Sequence, residues 1–363
     1  RPSPVGAIHT MKTPAVTPDT DHLPPILAAL RKRTPKARQA EADAFATAFY
    51  QRMDAAEYAQ HGAEGWAALV AGMLEFVRQR KRGQANVRLF NPNMKEHAWE
   101  SAHTVVQIAN DDMPFLVDSV TMALAERGIG VHVLGHPVIA LARDKAGKLT
   151  GVGSGQRESL MHLEIDRQSQ ASMAAITEDL RQVLDDVRAI VADWEPMQDR
   201  MREVAEELGT RRMPLPDDGR REAQEFLRWA ANDHFTFLGY REYKVAKQGK
   251  DEVLVADEDS GMGLLRGKDG GKPRLLKSLA AHYMPQSGSV DALILTKTNA
   301  RSTVHRPGYM DYIGVLGFDA KGRPTSEQRF LGLYTSSAYN RRPWDIPVVR
   351  QRHEYVMSKS GLD

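Results

Sequence analysis

Histidines four residues apart, a glycine-rich run and clusters of carboxylates have the types and spacing here that could do chemistry. His132 and His136 stand at i and i+4, a spacing that grips zinc from one face of a helix. Their segment, "IGVHVLGHPVIALARD", reads instead as a long strand bent at Gly135–Pro137. Along a strand four residues span about 13 Å, too far for one ion. His97 and His103 straddle a loop without a third ligand. "GVGSG" (151–155) has the glycines of a phosphate loop, but the strand-like "SLMHLEID" follows it. A pyrophosphate needs the amides of a helix at that point, so the run reads as a hairpin loop. "GIG" (128–130) and "GMG" (261–263) extend to no fingerprint. No catalytic residue, metal or cofactor site is therefore expected within this chain.

Two constellations remain. In "IANDDMPFLVDSV" a strand turns into a helix, and Asp111, Asp112, Met113, Pro114, Phe115 and Asp118 crowd the turn. Free amides at the start of a helix favour a carboxylate, whereas the three aspartates favour an ammonium or guanidinium group. The plainer reading is a helix capped by Asp111 or Asp112, with Pro114 in its first turn. In "TNARSTVHRPGYMDYIGV", Arg301, His305 and Arg306 form a candidate anion patch, with Tyr309, Asp311 and Tyr312 as pocket walls. Its plainer reading is a strand pair joined at a Pro-Gly turn with solvated charges.

The elements that must hold these residues follow from periodicity. Ile26, Ala29 and Leu30, then Phe45, Ala48 and Phe49, then Trp66, Leu69, Val70, Met73 and Phe76 recur at spacings of three and four, marking buried helical faces. "AHTVVQIAN" is a strand, and Leu116, Val120, Ala123 and Leu124 form a helix stripe ended by Gly128. Met161, Leu163 and Ile165 alternate with His162, Glu164 and Asp166, the period of a half-buried strand. A second helix carries Met173, Ile176, Leu180, Val183 and Leu184, and alternation at Val187, Ala189 and Val191 suits a closing strand. The order is βαββαβ, a ferredoxin-like unit. Beyond a polar linker and another helix, "FTFLGYREYKV", "EVLVAD", "ALILTKT", "DYIGVLGFD" and "EQRFLGLYTS" read as antiparallel strands, "PRLLKSLAAHY" as a helix among them, and "PVVRQRHEYVMSKS" as a connector helix. The expected class is α+β.

Bulk properties narrow the function. The chain has 363 residues, enough for two or three domains, and its 26% charged content is that of a globular protein. Its 49 basic residues are offset by 47 acidic ones, which argues against nucleic acid as a partner. No apolar run approaches the roughly 18 residues that would span a membrane. There is no cysteine, which excludes disulfides and fits a cytoplasmic setting. "RPSPVGAIHTMKTPAVTPDTDHLPP" reads as a disordered leader, and the chain as a fragment of something longer.

"VRLFNP", "HAWES", "HTVVQIANDDMPFLVDSV", "DHFTFLGYREY" and "RPGYMDYIGV" resemble the N-terminal region of the large bacterial NAD-specific glutamate dehydrogenases, from about residue 40 to the end. Composition and periodicity set out a disordered leader (1–22), a helical N-terminal segment (23–100), a linker (210–220) and a connector helix (346–363), and the resemblance implies that 101–209 is an ACT-like domain and 221–345 a PAS-like domain. It also implies a regulatory or assembly role, a catalytic dehydrogenase domain downstream in the same chain, NAD bound there, a homo-oligomer and an amino-acid effector. Many ACT domains read Asp-x-Pro-Gly where this chain has Asp112-Met113-Pro114-Phe115, so Phe115 is expected to obstruct an effector or to bury itself in the pocket. The competing readings are a purely structural oligomerisation module and a standalone amino-acid sensor.

Overall fold

Spacings of three and four in Ile26, Ala29 and Leu30 fold into α1 (Leu23–Arg33), whose Pro24 and Pro25 suit a first turn and whose last turn, Arg31 to Arg33, suits the helix dipole. The computed structural model describes residues 22–51, 55–210, 216–268, 272–276 and 292–360, with only the backbone of 55–60. The expected leader lies outside the described residues except for its last position, as do 211–215 of the expected linker. The chain divides into two units, residues 1–112 with 124–181, and 113–123 with 182–363.

In the first unit α1, α2 (Gln39–Phe49) and α3 (Ala55–Val77, broken at Gly62) precede β1 (Asn86–Phe90) and the short α4 (Met94–His97). Then come β2 (Thr104–Asp111), β3 (Val131–Gly135), β4 (Val138–Arg143), β5 (Leu149–Val152), β6 (Gln156–Ile165) and the start of α6 (Gln170–Thr210) as far as Arg181, while α5 (Leu116–Glu126) between β2 and β3 groups with the second unit as far as Ala123. The sheet runs β1-β2-β6-β4-β5, with β3 also on β6, and every pair is antiparallel. One sheet face, carrying Val105, Ala109, Ile139, Leu141 and Leu160, packs against Ile26, Phe45, Trp66, Leu69 and Met73 of the helices. The expected bend in the long strand falls between β3 and β4, at His136 and Pro137.

The closing strand expected at Val187–Val191 does not form; these residues continue α6. Buried Leu180, Val183, Leu184, Val187, Ile190, Met197 and Met201 keep helical spacing throughout, while Ala189 and Val191 are only half-buried. A five-residue alternation loses to a period sustained for six turns. The sheet edge is filled instead from the N-terminal side, by "NVRLF" of β1, within the segment expected to be helical. That strand pairs Val87 with Ile108 and Leu89 with Val106. Both the α+β class and the order of helices followed by antiparallel sheet hold.

The second unit takes α6 from Gln182, α7 (Asp217–Trp229), a π-turn (Ala230–His234) and β7 (Phe235–Gln248). After these come β8 (Asp251–Ala256), β9 (Met262–Gly263), β10 (Arg274–Leu275), β11 (Leu293–Arg301), β12 (Tyr309–Phe318), β13 (Pro324–Tyr334), α8 (Ser336–Tyr339) and α9 (Val349–Ser360). Its sheet runs β10-β8-β7-β13-β12-β11 with β9 on β7. Met197, Met201 and Val204 of α6 and Phe226 and Leu227 of α7 share a core with Phe237, Tyr240, Ile313 and Phe330 of the sheet. At the β13–β7 irregularity a Cβ on Gly332 would come 2.2 Å from the Thr236 carbonyl, so only glycine fits. The helix expected over "PRLLKSLAAHY" has β10 and the buried Leu276 at its start, and from 277 lies outside the described residues.

Candidate functional site

The sequence candidates divide between the two units. Asp111 ends β2, and its carboxylate accepts from Arg80 Nη2 at 2.9 Å and from the Gly83 amide at 3.0 Å. Asp112 accepts from Arg157 Nε at 3.1 Å. Two carboxylates of the expected acidic trio are thus taken up by arginines.

From Met113 onward the loop groups with the second unit. Phe115 there has φ +70°, the left-handed region that favours glycine and costs a bulky residue of order 1–3 kcal/mol. The Asp-x-Pro turn keeps a glycine's conformation while holding a phenylalanine. Ser119 Oγ donates to the Phe115 carbonyl at 2.6 Å and accepts from the His305 amide at 3.1 Å. His305 is itself left-handed, with φ +75°. Its ring lies 4.9 Å from that of Phe115, and Trp194 lies 6.0 Å away on α6. Two strained residues 190 positions apart in sequence therefore meet, bringing together members of both candidate constellations.

Burial pushes the His305 imidazole below its ordinary pKa, with Asp118 opposing and Arg306 reinforcing the shift. Its Nδ1 is buried without a hydrogen-bond partner. The other members of the second constellation serve the sheet. Arg306 Nη2 donates to the Tyr334 carbonyl at 2.7 Å, and Asp311 accepts from the Tyr334 amide at 3.1 Å and pairs with Lys297 at 2.7 Å. Arg301 lies over the exposed Tyr309 ring. Among the described residues no group of His, Asp and Glu is arranged to hold a metal, and no helix is long and apolar enough to cross a membrane. His132 pairs with Asp166 at 2.8 Å, His136 with Ser159 at 2.6 Å, His97 stacks on Phe90, and His103 stacks on His132.

Three buried polar clusters escaped the sequence reading. Glu158, 1% exposed, accepts from Arg80 Nε at 2.8 Å and from Arg143 Nε and Nη2 at 2.6 and 2.9 Å. Burial works against its charge, but the two guanidiniums outweigh burial and hold it below the usual carboxylate range. In the second unit Glu327 is fully buried, with Oε2 on Arg329 Nη2 at 3.1 Å and Oε1 without a partner. Arg329 lies 3.8 Å over the Tyr243 ring and reaches the Tyr312 hydroxyl at 3.1 Å.

The third cluster corrects an expectation. His162 and Glu164 were assigned the solvated side of a half-buried strand, yet both are buried, because the N-terminal helices cover that side. Glu164 accepts from His61 Nε2 at 2.6 Å and Ser101 Oγ at 2.5 Å, with His103 Nδ1 at 3.4 Å. His162 Nδ1 meets Gln107, whose oxygen accepts from Arg88 Nε at 2.8 Å. Burial pushes Arg88 down to about 10, still charged at neutral pH. Only a hydrophobic-to-polar alternation beside tryptophan-bearing helices signalled this layer in sequence.

This cluster predicts an acid response. Burial pushes His162 down, with Glu164 pulling the other way. Burial would raise Glu164, but the nearby His162 and the hydrogen bonds from His61 and Ser101 outweigh it and hold it well below the usual range. Folded His162 binds fewer protons than unfolded, so its contribution is complete above the ordinary value of 6.5 and lost as pH falls through its folded value. That of Glu164 is complete above 4.5 and lost on further acidification. Urea midpoints measured between pH 7.5 and pH 3 are expected to fall in two stages, and His162→Gln to shrink the upper stage, to which His136 and His305, also pushed down by burial, contribute the rest. A flat profile from 7.5 to 5 would contradict the assignment.

The architecture and these contacts define the class: residues 45–180 match the family model described as glutamate dehydrogenase, ACT1 domain. The chain belongs, as an N-terminal region, to the NAD-specific glutamate dehydrogenase family. It is 35% identical over 346 residues to the NAD-specific glutamate dehydrogenase of Halomonas elongata, covering 92% of this chain and 21% of that protein. It is 36% identical over 330 residues to that of Pseudomonas aeruginosa, covering 88% and 20%, and 27% identical over 269 residues to that of Mycobacterium tuberculosis, covering 71% and 15%. The chain thus spans about a fifth of the length of the first two relatives.

Proposed function

We propose that this chain is a non-catalytic regulatory and assembly region of an NAD-dependent glutamate dehydrogenase, the second unit being a PAS-like domain. The whole enzyme, a cytoplasmic oligomer, oxidises L-glutamate with NAD and water to 2-oxoglutarate, ammonium and NADH, and NAD binds in a catalytic domain downstream. The region acts by having two arrangements that an amino-acid effector stabilises unequally. The observation that carries the reading is the meeting of Phe115 and His305, two left-handed residues linked through Ser119. Strain at a ring-to-ring contact is what a ligand-responsive turn requires, because a ligand that engages either residue releases it.

Calorimetric titration with L-arginine, L-aspartate and L-glutamate tests the reading. One of them is expected to bind, and Phe115→Ala to change its dissociation constant by about tenfold, or about 1.4 kcal/mol. A second reading, assembly without ligand, is favoured by the exposed Val131 and Leu134 of β3. It would prevail if no amino acid gave heat while light scattering found a stable oligomer.

A further inference from the structure

Five of the eleven large apolar side chains exposed among the described residues fall between 339 and 357: Tyr339, Trp344, Tyr355, Val356 and Met357. Most of these belong to α9 or stand just before it, and none of the twelve residues of α9 is buried. An isolated helix of twelve residues is marginal in water. This one is tied to the rest of the unit at its start, where the Val348 amide donates to Glu222 at 2.8 Å and Arg350 pairs with Glu222 and Glu225. Beyond that anchor its pattern is that of a helix made to be covered. Val349, His353, Val356 and Met357 stand at i, i+4, i+7 and i+8, a single stripe. Trp344 extends the stripe by packing its ring 5.7 Å from that of His353. Val356 is 61% exposed, well beyond what a finished core surface leaves at such a position. Arg352 and Lys359, seven residues apart, share one side of the stripe, and Glu354 is the lone carboxylate in the free half of the helix, so that side of the rim is basic.

We propose that the Trp344–His353–Val356–Met357 stripe is the docking surface for an apolar helix with acidic flanks in the continuation of the same polypeptide. The relatives extend for about four-fifths of their length outside the aligned region, so covering chain is present in them, and the basic rim selects an acidic partner over a second copy of α9. This rests on the functional reading above, in which a dehydrogenase region follows.

The test is amide hydrogen exchange of residues 351–360, compared between the 363-residue chain and the longer polypeptide of the same reading frame. In the short chain these amides are expected to exchange as a fraying helix. In the long one they slow by about a hundredfold or more. In the long polypeptide V356D with M357D restores fast exchange there, leaving the β12 and β13 amides protected. Equal rates in the two polypeptides would overturn the proposal, as would protection in the short chain that grows with its concentration, the signature of a second copy. A reading frame without a dehydrogenase region would sink the functional reading and this one together. A dehydrogenase present while 351–360 stays fast would sink this one alone.

Discussion

Replacing Glu158 with alanine is expected to destabilise the first unit by about 3–5 kcal/mol, among the largest effects available to a single change in this chain. The magnitude comes from what is left behind. Arg80 and Arg143 keep their charges in a site from which water is largely excluded, and apart from backbone carbonyls such as those of Gln84 and Gly147 only Asp111 remains as a charged partner, for Arg80. Glu158→Gln keeps the shape but removes the charge, so most of the loss is expected there too. Removing all three charges together behaves differently, because a buried ion pair replaced by apolar groups of similar size is often neutral. The triple variant Arg80→Met, Glu158→Leu, Arg143→Met is therefore expected to recover much of the stability lost by the single one. Urea unfolding followed by tryptophan fluorescence measures both, since Trp66 and Trp99 are buried in this unit. A loss below about 1 kcal/mol for Glu158→Ala would mean that the two arginines reach water in solution.

Arg329→Ala is expected to cost the second unit a comparable 3–5 kcal/mol or so. Glu327 has no exposed surface and Arg329 is its ion-pair partner, so the truncated protein buries an uncompensated carboxylate. The guanidinium also lies over the rings of Tyr243 and Tyr312, contacts that a lysine does not reproduce. Arg329→Lys is accordingly expected to fall between wild type and alanine. Glu327→Leu combined with Arg329→Met should come close to wild type. Thermal unfolding monitored in the near-ultraviolet, where the tyrosine environment reports on this layer, separates the four proteins. If alanine and lysine variants melt together with wild type, the pair is not buried in solution.

Both clusters show why charge placement was hard to read from the chain. His162 and Glu164 alternate with apolar neighbours, a pattern that ordinarily marks one wet face, and Glu158 stands among polar ones. Nothing local to "RESLMHLEID" says that α1–α3 will lie across that face. Once covered, the polar side chains must find partners, and they find them at positions 61, 80, 101 and 107, far away in the chain. Likewise, Phe115 and His305 were singled out separately, each for its own motif. No periodicity links them, because their meeting depends on where a long helix carries Trp194 and on the turn that holds Ser302 and His305.

By itself the amino-acid sequence determined the α+β class, the helical faces at Ile26, Phe45 and Trp66, the strand in "AHTVVQIAN", the break at Gly135–Pro137, the absence of thiol chemistry and the family. Apart from the family, which motifs such as "DDMPFLVDSV" carry by resemblance, these are properties of local period and composition, which neighbours three or four residues away are enough to express. Only the tertiary structure decided that Val187–Val191 stays helical, that Asn86–Phe90 supplies the sheet edge, and which charges are buried. Each of those outcomes is a competition between segments for the same hydrogen bonds or the same apolar face, and its energy is unspecified until both competitors are in place.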